Sequence, residues 1–417
     1  MNTRKTVIFG SFLLCTFLGI QPLIQQLAAI PEFKEQSEIS LPQISGILSQ
    51  VIQTEPVIES NAVMASKTEK TEVIHVSYKL FGIFPLKTSE IEVMPDIKLL
   101  PGGQSIGVSL QAKGVMVVGQ AAVTGKDGQQ NYPAKEAGIE VGDVILKIDS
   151  QEVKTDLDVA DAINQAGQKQ GFSDILCQRD GQYIQKRITT VYCPETNRFR
   201  VGLYVRNEAA GVGTLTFYDP QSRKYGALGH VINDADTNRK IEVSNGTVIA
   251  SSIYAIEKGR RGHPGEKVGS FVSQSLFSGN IEKNSISGIF GSMQGQILNP
   301  YFKEAISVAW EAEIKEGPAK IYTVLAGEKI EEFEVQIERI MRNRTDSKNM
   351  VIRVVDQRLL DKTGGIIQGM SGSPIIQDGK FVGAVTHVFV NDATRGYGVF
   401  IQNMLKDAEL LQNKEAA

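Results

Sequence analysis

The feature that most constrains this chain of 417 residues is a hexad near its C-terminus, Gly369-Met370-Ser371-Gly372-Ser373-Pro374. An apolar, strand-like run follows it, from Phe381 to Val390. The glycines of the hexad let the chain turn sharply, so that the Ser371 hydroxyl points out from the loop. The backbone N–H groups of Gly369 and Ser371 are then expected to point at the place where an oxyanion would form. The hexad predicts a nucleophilic Ser371, which needs a histidine to activate it.

His230 is the predicted partner of Ser371 among the four histidines of the chain. It lies in Gly226-Ala227-Leu228-Gly229-His230-Val231-Ile232, where small, turn-capable neighbours are typical of the end of a strand. A serine hydroxyl is a poor nucleophile until an imidazole takes its proton, and histidine can do this at neutral pH. His75 is predicted in an alternating strand, and His263 in a turn-rich loop.

The fourth histidine, His387, lies in the apolar run after the hexad. One hypothesis puts Thr386, His387 and Val388 along the substrate. The other makes His387 a strand residue bonded to a neighbouring loop, and the sequence favours neither.

Three aspartates are candidates for the acid that would orient His230. Asp356 ends the apolar run Val351 to Val355, shortly before Ser371. Asp234 and Asp236 follow His230 closely, but their surroundings are rich in turn formers, which also predicts a purely structural turn. The residues alone leave the choice open.

Residues 198–417 contain many short alternating runs separated by glycine turns, which predict a barrel or sandwich of strands. With the Ser371 hexad, this region resembles the two-barrel domain of chymotrypsin-like serine peptidases. Those domains also end in two strands and a helix, as predicted here from Phe381 to Leu411.

Three segments resemble the stage IV sporulation protein B family of membrane-associated serine peptidases. They are 226–232, 363–376 and 383–392, the last reading Gly-Ala-Val-Thr-His-Val-Phe-Val-Asn-Asp. The resemblance implies a His230, Asp356, Ser371 triad and self-cleavage. It also implies cleavage of a membrane protein that restrains an intramembrane metalloprotease, which processes a late sporulation sigma factor. The implied location is the space between the forespore and mother-cell membranes.

Residues 97–191 resemble a PDZ domain of the bacterial protease-associated type. The resemblance rests on Ala137-Gly138-Ile139 followed by Gly142-Asp143-Val144-Ile145, and on a helical spacing from Asp156 to Ala166. Such domains bind peptides by adding a strand to a sheet edge. The loop expected to bind the terminal carboxylate is Ser105-Ile106-Gly107-Val108. Its ligand would be the C-terminus of another protein or the N-terminal segment of this chain.

The N-terminus has the pattern of an export signal, because Arg4 and Lys5 precede an apolar run from Val7 to Ile20. Residues 1–29 are predicted to be a signal or membrane anchor, cleaved or retained, and 30–96 a tether that ends in strands. Cys15 falls in the apolar run, and Cys177 and Cys193 are predicted to be buried thiols. The predicted fold is mainly β: an anchor, an α+β PDZ domain and a chymotrypsin-like double barrel.

Several functional classes are disfavoured by the sequence. The net charge of −3 gives no electrostatic case for nucleic acid binding. No His-Glu-X-X-His motif occurs, so neither a metal nor another cofactor is expected. Too few residues follow Ser371 for an α/β-hydrolase, whose acid and histidine come after the serine. Two alternatives remain: an HtrA-type quality-control protease, which carries its PDZ after the peptidase, and a catalytically idle PDZ adaptor.

Overall fold

The computed structural model describes residues 33–36, 52–57, 72–80 and 83–411 of the chain. The described residues belong to two compact units. The predicted anchor, residues 1–29, lies outside them, as does about half of the predicted tether, residues 30–96. None of the helices in the described ranges is long and apolar enough to cross a membrane.

The first unit contains a four-stranded sheet with the order β1-β4-β3-β2. Its antiparallel hairpin β3–β4 confirms the strands predicted from the alternating pattern before residue 95. The bounds are β1 (Phe33–Gln36), β2 (Ile52–Val57), β3 (Glu72–Leu80) and β4 (Phe84–Val93).

Two strands, β5 (Lys98–Pro101) and β6 (Ser105–Gln120), lead into an α+β module. Its longer helix begins at a capping box, in which Thr155 and Asp158 each accept a hydrogen bond from the other's backbone N–H. The module contains β7 (Val123–Thr124), β8 (Gln130–Asn131), α1 (Pro133–Glu136), β9 (Val144–Ile148), β10 (Gln151–Glu152), α2 (Asp156–Lys169), β11 (Phe172–Arg179), β12 (Gln182–Thr189), β13 (Val191–Cys193) and β14 (Arg198–Arg200).

A first barrel follows, in which six strands form a closed ring. The ring runs β6-β17-β19-β21-β16-β15, and β15 pairs back with β6. The strands after β14 are β15 (Leu203–Tyr218), β16 (Lys224–Ala227), β17 (Val243–Glu257), β18 (Glu266–Phe271), β19 (Phe277–Asn280), β20 (Lys283–Ser285), β21 (Gly288–Gly295) and β22 (Ile306–Ser307).

A second barrel is closed by six strands in the order β23-β24-β25-β28-β27-β26. Its elements are β23 (Gly317–Ala326), β24 (Lys329–Ile340), β25 (Met350–Val354), α3 (Gln357–Thr363), β26 (Pro374–Gln377), β27 (Lys380–Phe389), β28 (Asp392–Phe400) and α4 (Ile401–Asp407). Two six-stranded barrels and an α+β module confirm the predicted mainly β fold of the chymotrypsin-like type.

Strands β6 and β15 are shared between the module and the first barrel. Residues 105–111 of β6 pair with 208–214 of β15 inside the barrel, and residues 116–120 pair with 203–206 inside the module. The inward face of β6 changes between the two parts: Ile106, Val108 and Leu110 enter the barrel core, whereas Val115 and Val117 enter the core of the module. Gly114, with a φ of +95°, lies at the change of face.

The structure therefore divides the chain differently from the predicted boundaries, 97–191 for the PDZ domain and 198–417 for the peptidase. Leu100 and the first half of β6 belong to the barrel core. The module is an insertion between two paired barrel strands and does not precede the barrel. The boundary was predicted wrongly because the strands that pair with β6, which are β15 and β17, lie about 100 to 140 residues later in the chain.

Candidate active site

The Ser371 loop lies between helix α3 and strand β26, in the second barrel. Gly369 and Gly372, on either side of it, have φ values of +87° and +92°, in the region that favours glycine. Two hydrogen bonds fix the loop. The Gly372 N–H donates to Val385 O in β27 over 2.8 Å, and within the loop the Ser373 hydroxyl donates to Met370 O over 2.6 Å. The sharp turn predicted from the hexad is present.

Two threonines of β15 connect this loop to the first barrel. The Thr214 N–H donates to Ser371 O over 3.0 Å, and its hydroxyl donates to Gly369 O over 2.7 Å. The Thr216 hydroxyl donates to Gly372 O over 2.8 Å. Both threonines are fully buried, so these bonds form away from water. Both threonines were predicted only as residues of a strand. The signal in the sequence was a pair of hydroxyls at alternate positions, on the face of the strand opposite to Leu215, which enters the core of the first barrel.

His230 lies in the turn that follows β16, and its ring is half-buried. Its Nδ1 is 2.8 Å from the backbone oxygen of Val231. A carbonyl only accepts hydrogen bonds, so Nδ1 carries the proton in this arrangement and Nε2 is left as the acceptor. Desolvation lowers the pKa of His230 below its usual value, and the bond to Val231 opposes part of that shift. The neutral ring is the form that a general base requires.

The turn around His230 is held by hydrogen bonds to Asn284. The buried Asn284 side chain accepts from the Ile232 N–H over 2.8 Å and donates to the carbonyls of Ile232 and Ile241. A single amide therefore satisfies backbone groups at both ends of the hairpin that follows the histidine.

Ser371 and His230 lie against adjacent residues of strand β27. The Ser371 hydroxyl donates to Thr386 O over 2.7 Å, and the ring of the next residue, His387, is centred 5.0 Å from the ring of His230. The ladder between β27 and β28 is irregular from Val385 to Val388, so His387 stands at a bulge. Partial desolvation and the nearby His230 lower the pKa of His387 to about 4, although its side chain keeps contact with solvent.

In the described part of the chain, Ser371 makes no hydrogen bond with His230, because its hydroxyl is turned to Thr386 O. Rotation about one side-chain torsion redirects a serine hydroxyl. Catalytic hydrogen bonds of this kind are often unformed without substrate.

The N–H groups of Gly369 and Ser371 donate no hydrogen bond within the residues that the structure describes, whereas those of Met370, Gly372 and Ser373 each have a backbone acceptor. The two predicted oxyanion donors are thus the two unused donors of the loop. A buried backbone N–H without a hydrogen-bond acceptor costs free energy. Because this loop leaves two N–H groups without an acceptor, both are able to donate to an anionic oxygen of a substrate.

Asp356 is the N-cap of helix α3. Its carboxylate accepts from the Arg358 backbone and side chain and from the Glu334 N–H, with an ion pair to Arg358 of 2.7 Å. The Arg358 guanidinium holds the pKa of Asp356 below its usual range. The structure does not bring Asp356 into hydrogen-bond contact with His230.

Asp234 and Asp236 lie in the hairpin after His230. Asp234 is buried and accepts from the Thr237 N–H over 2.9 Å, and both carboxylates pair with Arg206 at 3.4 and 2.7 Å. These contacts shape the hairpin and attach it to β15. Nothing in them links either carboxylate to the His230 ring, whose Nδ1 bonds to a backbone carbonyl.

A model of the SpoIVB peptidase S55 family matches residues 197–405, half of the chain. The chain belongs to this family. As an S55 peptidase it is a serine peptidase, and the match contains both Ser371 and His230. A PDZ domain model matches residues 126–170 of this S55 peptidase, within the α+β module.

Solved structures are similar to parts of this S55 peptidase. The PDZ domain of an SdrC-like protein from Listeria monocytogenes has 23% identity and a TM-score of 0.18, covering 22% of this chain and 87% of its own. The active form of the Rv3671c protease from M. tuberculosis has 13% identity and a TM-score of 0.28, covering 50% and 77%. Human heparin binding protein has 11% identity and a TM-score of 0.27, covering 49% and 88%. No curated protein matches the chain in sequence.

The predicted carboxylate loop, residues 105–108, is placed differently from expectation in this S55 peptidase. These residues begin β6, and they pair with β15 on one edge and, over 106–108, with β17 on the other. Their backbone groups are used by the barrel, so they do not form a free loop. Gly107 packs under the ring of Phe271, 2.2 Å from where a Cβ would stand.

An open strand edge of the PDZ module lies elsewhere, at residues 203–206. Over this stretch β15 pairs only with β6 in the part of the chain that the structure describes, and helix α2 packs beside it. A strand edge next to a helix is the geometry by which PDZ domains bind peptides.

The remaining predicted residues are His263, His75 and the three cysteines. His263 forms a small turn with Arg260, through backbone bonds of 2.8 Å. Cys177 and Cys193 are free and buried, which confirms the prediction of two unpaired thiols, and burial raises the pKa of Cys177 to about 12. His75 lies in β3, and Cys15 lies outside the described residues.

Proposed function

We propose that this S55 peptidase is a self-cleaving endopeptidase in a regulated proteolytic signal of endospore formation. Its target is a membrane protein that restrains an intramembrane metalloprotease, whose release leads to sigma-factor processing. One observation carries the catalytic part: the Ser371 loop of one barrel and the His230 turn of the other meet at β27, with two unused N–H donors beside the serine. The target and the signal rest on the family.

In the proposed mechanism, Ser371 Oγ turns from Thr386 O to Nε2 of His230. The imidazole takes the hydroxyl proton as Oγ attacks the peptide carbonyl. The developing oxyanion accepts from the N–H groups of Gly369 and Ser371; loss of one such donor typically costs about a hundredfold or more in rate. His230 then gives its proton to the leaving amine, and water releases the acyl group by the same steps in reverse.

Asp356 is proposed as the acid only on the family resemblance. The contacts of His230 support another orienting group, the Val231 carbonyl, which accepts from Nδ1 over 2.8 Å. This carbonyl can select the tautomer, but it carries no full charge to stabilise an imidazolium.

Contacts between the PDZ module and the His230 hairpin support regulation. Arg239 closes that hairpin, donates to Gly142 O over 3.0 Å and pairs with Asp180 at 3.4 Å, and both of these partners are in the module. From the module's part of β15, Arg206 pairs with Asp234 and Asp236. A peptide that binds the module is therefore in a position to bias the turn that carries the base.

The proposed ligands of the module are the C-termini of proteins or the N-terminal segment of this chain, added as a strand to the open edge of β15 at 203–206. The proposed location follows from the family and from the apolar run 7–20: exported, anchored at least initially, and between the forespore and mother-cell membranes. The substrate is accordingly a protein at a membrane.

Self-cleavage is tested by expressing the full chain as wild type and as Ser371→Ala, then following fragments by mass spectrometry. Fragments from the wild type alone are expected, because loss of the nucleophile prevents acyl-enzyme formation. Intact chains in both would support an idle adaptor. Equal fragmentation of both would show contamination and remove support for Ser371. Many unrelated fragments of added proteins would favour the HtrA-type alternative.

A further inference from the structure

A buried lysine lies directly behind the Ser371 loop. Lys267, in β18, is only 4% exposed, and its amine donates to the Thr323 hydroxyl over 2.7 Å. The Thr214 hydroxyl is a weaker second partner at 3.5 Å. In the described residues, no carboxylate forms an ion pair with this amine. Burying a lysine amine without a carboxylate partner costs folding free energy. We therefore ask which role this side chain has.

The backbone of Lys267 fixes the peptide that carries the Gly369 N–H. The Lys267 N–H donates to Gln368 O over 3.0 Å, and the Gln368 N–H donates to Gly265 O over 2.7 Å. In a trans peptide the C=O and the following N–H point in opposite directions. Since the Gln368 carbonyl is held towards β18, the Gly369 N–H is directed away from β18.

The side chain of Lys267 acts on the next peptide of the loop. Its methylene carbons lie 3.1 to 3.2 Å from the position that a Cβ of Gly369 would take, so the stem packs against this residue. At its end, the amine is within reach of the Thr214 hydroxyl, which itself donates to Gly369 O over 2.7 Å. A chain of two hydrogen bonds thus joins the buried amine to the carbonyl of an oxyanion residue.

We propose that Lys267 is a positioning residue of this peptidase, which holds the two peptides on either side of Gly369 so that the Gly369 N–H faces the substrate oxyanion. The proposal rests on the proposed roles of Gly369 and Ser371. It assigns Lys267 no contact with substrate; the lysine acts through Thr214 and Gly369.

The protonation state of the amine decides the direction of the hydrogen bonds. A protonated amine only donates, so the Thr214 hydroxyl must give its proton to Gly369 O. A neutral amine has a lone pair that can accept this proton instead, leaving Gly369 O without its donor. Desolvation lowers the pKa of Lys267 to about 7. The groups that face the amine are Thr214 from β15, Thr323 from β23 and Gly369 from the loop, none of them charged.

The test compares the wild type with Lys267→Met as the full chain, and with Lys303→Met as a control at an exposed lysine. The readout is covalent labelling of Ser371 by a fluorophosphonate, with the maximal rate and half-saturating concentration measured from pH 5 to 9. We expect the wild-type rate to rise as His230 deprotonates and to fall again near pH 7. Lys267→Met should lose about tenfold or more in maximal rate, keep its half-saturating concentration and lack the falling limb.

A second variant keeps the lysine and removes only its best acceptor. Thr323→Val should move the falling limb to lower pH, because the charged amine loses a hydrogen bond. It leaves the Ser371 loop untouched, so it serves where Lys267→Met fails to fold. A wild-type pH profile in either variant would overturn the proposal. If wild-type labelling does not exceed that of Ser371→Ala, the proposed catalytic function fails instead, and this inference fails with it.

Discussion

At the scale of single residues, the candidate site is held by uncharged groups, although a carboxylate was expected beside His230. His230 is oriented by the Val231 carbonyl, and the nucleophile loop is held by Thr214 and Thr216. The carboxylate assigned by family resemblance, Asp356, is occupied with Arg358 and a helix N-terminus. These contacts give Asp356 a role that can be separated from catalysis.

Replacement of Asp356 by asparagine and by alanine separates the two roles. Asparagine caps helices about as well as aspartate, whereas alanine costs about 0.5–2 kcal/mol. If Asp356 acts as a cap, Asp356→Asn should label at Ser371 within about tenfold of the wild type. Asp356→Ala should lower the free energy of unfolding in urea. A loss of labelling of about 10⁴-fold in Asp356→Asn, with stability intact, would identify Asp356 as the acid.

Local pattern was enough to make Ser371 and His230 candidates for the nucleophile and the base. A glycine on each side of a serine and small residues before a histidine are features of a few adjacent positions. Lys267 could not be found in this way. Its environment is made by Thr214, Thr323 and Gly369, which come from three distant segments. In sequence it is one lysine among many on an ordinary strand.

At the scale of elements, the Ser371 loop closely approaches the strand that supports it. A Cβ at Gly372 would lie 2.1 Å from Thr214 O and 2.5 Å from Leu228 N, which leads into the His230 turn. Two separate reasons therefore require glycine at this position: its φ of +92° favours glycine, and there is no room for a Cβ atom. The same close approach brings the Ser371 loop and the His230 turn together.

Gly372→Ala is expected to reduce both stability and activity, and Gly379→Ala is its matched control. Gly379 also has a positive φ, +76°, in the turn between β26 and β27, but nothing lies near its Cβ position. The control should cost about 1 kcal/mol of unfolding free energy from backbone strain alone. Gly372→Ala should cost more and lower Ser371 labelling at least tenfold. Equal effects of the two substitutions in urea unfolding and labelling would refute the steric argument.

The pattern of β6 shows why the element prediction failed at residues 105–108. Ser105-Ile106-Gly107-Val108 fits both a carboxylate loop and the start of a strand, because both alternate small and apolar residues. Pairing with β15 and β17 makes this segment a strand, and those partners lie far along the chain. Strand register of this kind depends on long-range partners that local spacing does not contain.

At the scale of the whole molecule, the PDZ module and the first barrel share two strands and are further joined through the His230 hairpin. The shared strands fix the module at its base, and Arg239 fixes it at Gly142 and Asp180. These contacts predict that movement of the module is coupled to the His230 turn. This coupling is a property of the insertion, which the predicted linear order of domains did not contain.

Arg239→Met tests the coupling, with Arg261→Met as a control at an exposed arginine in a turn. Loss of the bonds to Gly142 and Asp180 should speed amide hydrogen exchange over residues 231–241. Ser371 labelling should fall about threefold to tenfold, because the His230 ring is held less firmly. Unchanged exchange and labelling in Arg239→Met would show that the module does not restrain the base.

The insertion also has a consequence for the order in which the protein folds during synthesis. Residues 105–111 emerge early but cannot enter a barrel until β15 and β17 have been made. In the meantime the module can collapse around its own core, Val115 to Val201. Its collapse brings residues 111 and 208 together. The remaining residues of β6 and β15 then pair without closing a loop of about 100 residues, so the entropic cost of their pairing is lower. The PDZ module would thus serve the nascent chain as the template on which the strands of the peptidase barrel pair.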